Sequence, residues 1–385
     1  MSGRLALSCL AIAAAACGGG SSPSGPTPIA AQHDVTGLVF LDENGNGSLD
    51  AGEGTRVPGV EVEIAGRRGV SEKGSGRVVV SGVPAGAQTA RVRPASLPQY
   101  FQAAAPLPVQ VPSGQLSIPV KLPEGTVRPW VYMAFGDSLT LGDGSERGEG
   151  YLTRVQSLLR AHFGRGDLNG QGIEGSRTED GARRIVGMLS VVRPGYTLIL
   201  YGTNDWNDRV CRDAPPCYTL DSLRSMARAS RAAGSLPVIA TIPPANTGFS
   251  SKAPPDRNEW IHDMNQRIRA LLRQEGVPIA DVEAAFLDAG DLAELFVDHV
   301  HPNGRGYALI ADAFFRALSE PLAGAAAGFE DAGGQAWGAP EAFELLARPA
   351  PAAPRRALTT APARAGALRR RWPAQTPSED GARSR

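Results

Sequence analysis

Lysine is nearly missing from this chain of 385 residues: Lys73, Lys121 and Lys252 are the only three, and the other basic residues are arginine. Lysine plus arginine number 39 against 39 aspartate plus glutamate, giving no net charge. The basic excess that drives binding to a phosphate backbone is therefore absent, and no nucleic-acid partner is expected. Past the amino-terminal segment no apolar run approaches the roughly 20 residues of a membrane span. Cysteine is scarce as well: Cys9 and Cys17 lie in that first segment, which leaves only Cys211 and Cys217 for the folded body. No histidine or further cysteine lies near that pair to complete a tetrahedral metal set. The stretch between them, RDAPP, is polar and proline-rich, which favours a disulfide closing a short loop over two free buried thiols. The length implies two to three domains.

Arg4 followed by the apolar run of residues 5–16 (LALSCLAIAAAA) reads as a secretory signal peptide, too short to span a bilayer. The run ends in AAAAC and continues as GGGSSPSGPTP, which resembles the lipobox of bacterial lipoproteins. That resemblance implies a lipidated Cys17 tethered to a membrane. Ala14 stands where leucine is usual, so cleavage by an ordinary signal peptidase is the alternative. Either route exports the protein to the periplasm, the cell surface or the medium.

Residues 18–33 read as a Gly/Ser/Pro linker. Over 34–123 no helical period is convincing, and short β-branched runs such as VTGLVF, VEVEIAG, GRVVVSGV and LSIPVKL alternate with glycine, proline and serine; this predicts a small all-β sandwich domain. Over 127–322 the pattern changes. VYMAFG, YTLILYG, LPVIATI and VPIADV are apolar strands, each followed by a segment of helical periodicity, which predicts an α/β domain with a parallel sheet. Helices are expected at 151–163, 179–192, 220–233, 256–274 and 304–318, with DLNGQG as a further short strand. Residues 323–385 are rich in alanine, proline and arginine, and this composition predicts a disordered tail.

Four segments of the α/β region carry chemistry. AFGDSLTLG (134–142) places Ser138 just beyond the carboxyl end of a strand, where ligands bind in open α/β sheets. A serine on such a turn exposes its Oγ and can point its own N–H at an oxyanion. LYGTND (200–205) brings Asn204 to the same edge of the sheet. VDHVHPNGRGY (297–307) holds Asp298 and His301 three residues apart, a spacing that lets the carboxylate reach Nδ1 and leaves Nε2 as a base. NGQGIEG (169–175) is a glycine-rich loop that can offer an unshielded backbone N–H. Taken singly, each is equally an ordinary cap or turn.

GDSLT, GIEG, GTND and DHVH, in this order, resemble the four blocks of the SGNH/GDSL hydrolases, serine esterases and lipases with a flavodoxin-like three-layer α/β/α fold. The resemblance covers about half the chain. It implies Ser138 as nucleophile, His301 as general base and acid, and Asp298 as the orienting carboxylate. Gly175 and Asn204 would complete the oxyanion hole with the Ser138 amide. Ser176 and Arg177 follow Gly175 where the family often has Asp or Thr, and Gly170 and Gly172 compete with it. The reaction implied is hydrolysis of a small-molecule or polymer carboxylic ester through an acyl-enzyme, without a catalytic cofactor. A carbohydrate O-acetylesterase would use the same residues, and Trp206, Trp260 and Tyr218 are candidates for an aromatic platform or for core. His299 makes a His-x-His pair with His301 but lacks further metal ligands.

DENGNGSLDAGE (42–53) fits D-x-[DN]-x-[DN]-G-x₅-E at every position. Asp42, Asn44, Asn46, Asp50 and Glu53 would give side-chain oxygens and Ser48 a carbonyl, an oxygen-rich set suited to structural Ca²⁺. The alternative is a hairpin loop with no ion. Strands flank the loop, so the pattern resembles the calcium-loop B-type repeat domains of bacterial surface proteins and not an EF-hand. A reading of another class follows: a surface adhesion protein whose hydrolase fold is not catalytic.

Overall fold

The computed structural model describes residues 31–249 and 252–321. The expected signal peptide, Cys17, most of the linker and the 323–385 tail lie outside them.

Eight strands precede Val131: β1 (Gln32–Leu41), β2 (Glu61–Ile64), β3 (Arg67–Val70), β4 (Arg77–Pro84), β5 (Gly86–Val92), β6 (Gln102–Ala103), β7 (Leu107–Val111) and β8 (Leu116–Lys121). They form two four-stranded sheets, ordered β4-β1-β8-β6 and β3-β2-β5-β7. β1 begins inside the stretch expected to be linker, because its first residues Gln32 and His33 pair with Pro84 and Val83. β3, β6 and β7 were not expected. Arg67–Val70 is largely exposed and carries no apolar alternation, and Gln102–Ala103 is only two residues long.

The remainder is β9 (Val131–Gly136), α1 (Ser138–Leu141), α2 (Leu152–Phe163), β10 (Asp167–Gly172), α3 (Thr178–Val192), β11 (Tyr196–Leu200), α4 (Arg209–Asp213), α5 (Thr219–Ala232), β12 (Leu236–Ala240), α6 (Asp256–Gln274), β13 (Ile279–Ala280), α7 (Val282–Asp288) and α8 (Gly304–Ser319). Its five strands are ordered β10-β9-β11-β12-β13, all parallel. This is the doubly wound order whose switch point lies at the first strand's carboxyl end. Alternate residues of β9 and β11 divide between the two faces. Tyr132, Ala134, Leu198 and Leu200 pack with Leu159, Phe286, Ile310 and Phe314 of α2, α7 and α8. Met133, Phe135 and Ile199 pack with Ile185, Met226 and Ile268 of α3, α5 and α6.

The N-terminal sheets dock at the opposite end of the parallel sheet from Ser138. Tyr100 donates its hydroxyl to the Pro237 carbonyl at 2.7 Å, and Phe101 stacks on Phe163 with ring centroids 6.1 Å apart. Arg165 reaches the Gly52 carbonyl at 3.0 Å and lies 4.4 Å over the Trp130 ring. One apolar cluster runs without interruption from Val35 and Ile64 to Tyr132 and Phe163.

Candidate active site

β9 is buried along its whole length and ends at Gly136. A Cβ there would collide with the Leu200 carbonyl and Thr140, so glycine lets the chain turn directly into α1. Asp137 caps that helix by accepting the Leu139 N–H at 3.0 Å, which fixes Ser138 at the helix start.

The segment before α8 is held by an Asx turn: Asp298 Oδ1 accepts the N–H groups of Val300 at 2.8 Å and His301 at 2.7 Å. Its other oxygen accepts from His301 Nδ1 at 2.7 Å. Burial pushes the Asp298 carboxyl up, but the hydrogen bonds from the His301 ring and from these two amides outweigh it and leave it below the usual carboxylate range. An ionised Asp298 accepts the Nδ1 proton, so Nε2 is left as an acceptor, and it lies 3.0 Å from Ser138 Oγ. Ser138, His301 and Asp298 are thus one connected chain of hydrogen bonds.

Asn204 follows β11 at the same edge. Its Nδ2 donates to Asp137 Oδ2 at 3.2 Å and to the Ser176 carbonyl at 3.1 Å. The turn is anchored by the fully buried Asp205, which accepts from the Thr178 and Thr219 hydroxyls, each at 2.6 Å. The glycines of the second segment separate by their surroundings. A Cβ on Gly170 would meet Leu152, and one on Gly172 would strike the backbone of Leu141 and Asp137. Gly175 has a φ of 67° with open space around it, so its backbone is unshielded while the other two are needed for packing.

Several contributors had no signal in the sequence. Arg184 bridges the Gly136 and Gln171 carbonyls and the Tyr201 hydroxyl, joining the strand ends beneath the site. Arg257 is 1% exposed and donates to the carbonyls of Lys252 and of Thr203, the residue before Asn204. Burial lowers its guanidinium to about 10 while the Asp298 charge opposes that shift. Trp206 and Trp260 pack edge to face, centroids 5.7 Å apart, and both are buried. Cys211 and Cys217 are disulfide-bonded.

Residues 134–309 match the GDSL-like Lipase/Acylhydrolase family. The GDSL-like span contains Ser138, Gly175, Asn204, Asp298 and His301. Among solved structures, a member of the lipolytic protein G-D-S-L family from Veillonella parvula DSM 2008 is 18% identical with a TM-score of 0.40, covering 48% of this chain and 94% of that one. The lipase/acylhydrolase from Enterococcus faecalis is 20% identical with a TM-score of 0.39, covering 50% and 97%. Axe2, an acetylxylan esterase from Geobacillus stearothermophilus, is 22% identical with a TM-score of 0.41, covering 49% and 93%. No curated protein matches this chain.

Far from this site, the 42–53 loop folds through its own side chains. Asp42 accepts the Gly45 and Gly47 N–H groups at 2.7 and 2.9 Å, and Glu53 accepts those of Glu43 and Asp50 at 2.8 and 3.1 Å. Asn44 and Asn46 both donate to Asp50, and each accepts from the amide two residues on, those of Asn46 and Ser48. Among the described residues no three His, Cys, Asp or Glu side chains are grouped so as to hold a metal ion.

Proposed function

We propose that this protein is a serine hydrolase of carboxylic esters working through an acyl-enzyme. The observation that carries the reading is the unbroken Asp298–His301–Ser138 chain at the carboxyl edge of the sheet. Ser138 Oγ attacks the ester carbonyl and its proton passes to His301 Nε2, with the resulting imidazolium held by Asp298. The Ser138 and Gly175 amides and the Asn204 Nδ2 would bind the oxyanion; Asn204 must then exchange its present acceptors for the substrate oxygen. The alcohol leaves with the proton from Nε2, and water attacks the acyl-enzyme by the same route. A series of p-nitrophenyl esters from acetate to palmitate tests this. Nitrophenol release that Ser138→Ala abolishes supports it, and a peak at acetate together with turnover of acetylated polysaccharide would make the protein an O-acetylesterase. Folded protein inert toward every ester would favour the adhesion reading.

We also propose that the strands of residues 32–121 form a β-sandwich module with Ca²⁺ in the 42–53 loop. The donor set suits a hard cation. Asp42 and Glu53 are carboxylates buried to 4% and 5% exposure, a setting that favours a compensating charge. Binding would require the Asn44 and Asn46 amides to release Asp50. A calcium-dependent rise in the melting temperature, lost in Asp42→Ala, is the expected result. No rise at millimolar Ca²⁺ refutes it.

Export with a Cys17 lipid anchor is proposed on the 5–16 run and the cysteine after it, and a disulfide in the body suits an oxidising compartment. No described helix is long and apolar enough to cross a membrane. Palmitate labelling that is lost in Cys17→Ser tests the anchor; an unlabelled wild type in the medium points to plain secretion.

A further inference from the structure

An open cavity of about 610 Å³ is lined by Trp206, Asn207, Arg212, Lys252, Asp256 and His299. Two of these residues tie it to the catalytic edge. Asn207 Nδ2 stands 3.5 Å from Asn204 Oδ1, and His299 Nδ1 is 3.7 Å from Asp298 Oδ1. The cavity therefore adjoins the Asn204 and Asp298 side of the catalytic edge.

The lining holds two cations, Arg212 and Lys252, against one acid, Asp256. Arg212 sits near the Trp206 ring, at 5.8 Å from its centroid, and has a single loose ion pair, 3.5 Å from Asp213. Among the described residues no carboxylate pairs with Lys252 or with the buried Arg257 behind it, which holds the Lys252 carbonyl in place at 3.1 Å. Asp256 is the one acid of the lining, and it lies in the first turn of the 19-residue α6, where the positive end of the helix offsets part of its charge. His299 is lowered from the ordinary histidine value by burial and by the Arg257 and Lys252 charges, against the opposing pull of Asp298. Its ring offers a hydrogen bond to a ligand in the cavity.

The loop that carries Arg212 is also constrained. It is closed by Cys211–Cys217, and the Trp260 indole N–H donates to the Cys211 carbonyl at 3.0 Å. These contacts hold the backbone that carries Arg212, so the chain there need not be ordered when an anion binds.

We infer that this cavity is a subsite for a carboxylate carried by the substrate, so that the preferred esters are anionic and Arg212 with Lys252 sets that preference. The inference rests on the esterase reading above and adds the substrate class. Charge-assisted contacts to two such groups predict roughly tenfold or more in kcat/KM over an uncharged ester of the same shape.

The test uses the folded body with its disulfide intact and two matched pairs of esters. p-Nitrophenyl hemiglutarate against p-nitrophenyl valerate places the carboxylate on the acyl side; para-acetoxybenzoate against phenyl acetate places it on the alcohol side. In one of the pairs the anionic ester should be favoured. The ratio should shrink as salt is raised and fall toward one in Arg212→Met and Lys252→Met. Because each ratio is taken within one preparation, it does not depend on how much of a variant is folded. A wild-type ratio at or below one in both pairs, or a ratio that neither variant changes, overturns the subsite while leaving the esterase reading intact. Failure to hydrolyse any ester of either charge overturns both.

Discussion

His301 Nε2 and Ser138 Oγ meet at 3.0 Å although 163 positions separate them in the chain. The parallel sheet makes the meeting by delivering the end of β9 and the start of α8 to one edge, and Asp298 Oδ2 holds His301 Nδ1 at 2.7 Å; in the proposed mechanism it thereby orients the base. Asp298→Asn keeps the shape but offers Nδ1 the wrong partner. By analogy with serine protease triads, kcat should fall by roughly 10⁴ with KM little changed. A variant retaining more than a tenth of wild-type kcat would show that Asp298 does not orient the base.

Asn204 carries a similar demand. If Asn204 is the proposed oxyanion donor, it acts on the transition state more than on bound ester, and Asn204→Ala should lower kcat on the order of 10² to 10³. A loss expressed mainly in KM would assign Asn204 to ground-state binding instead.

Asp137 is completely buried beside Ser138. Burial raises its carboxyl to about 7, the Leu139 N–H opposes this, and the nearby Asp205 adds to the rise. In the unfolded chain the same group titrates near its ordinary value of 3.8. Between these limits the folded state holds a proton that the unfolded state has released, so stability declines as pH climbs from about 4 to 7 and then levels off. Asp137→Asn removes this contribution. Urea unfolding at pH 5 and pH 8 should show the wild type losing a few kcal/mol relative to the variant across that interval. Parallel behaviour of the two proteins would mean that Asp137 is not protonated in the native state.

The Cys211–Cys217 bridge closes a short loop beside the site. Constraining a loop of that size in the unfolded chain is worth about 2 kcal/mol. The double variant Cys211→Ser/Cys217→Ser should melt several degrees lower, and reductant should bring the wild type down to the same value without moving the variant. A wild type indifferent to reductant would show that the bridge adds no stability.

How much of this was readable beforehand differs by region. The parallel sheet and the edge positions of Ser138 and Asn204 were legible because apolar strands ending in Gly-Asp-Ser or Gly-Thr-Asn fix both period and edge, and Asp298 and His301 were legible from their three-residue spacing ahead of a helix. α6 occupies the expected 256–274; α3 and α5 start one residue early, at Thr178 and Thr219. α7 was missed because Val282–Asp288 is only seven residues long, too short to show a period. The different surroundings of Gly170, Gly172 and Gly175 were not legible, since they lie in the neighbour a Cβ would strike. Arg257 was illegible for the same reason. In the sequence it is one polar residue in a charged helix, and only packing shows a buried cation that bonds the Thr203 and Lys252 carbonyls.

The central claim is that Ser138 is a nucleophile activated by His301, and covalent trapping tests it most directly. A dialkyl fluorophosphate should phosphorylate the protein once, on the peptide containing Ser138, with loss of esterase activity in proportion. Ser138→Ala should take no label, and His301→Ala should react far more slowly. Folded wild-type protein that stays unmodified, or that carries the adduct on another residue while activity persists, would contradict the account.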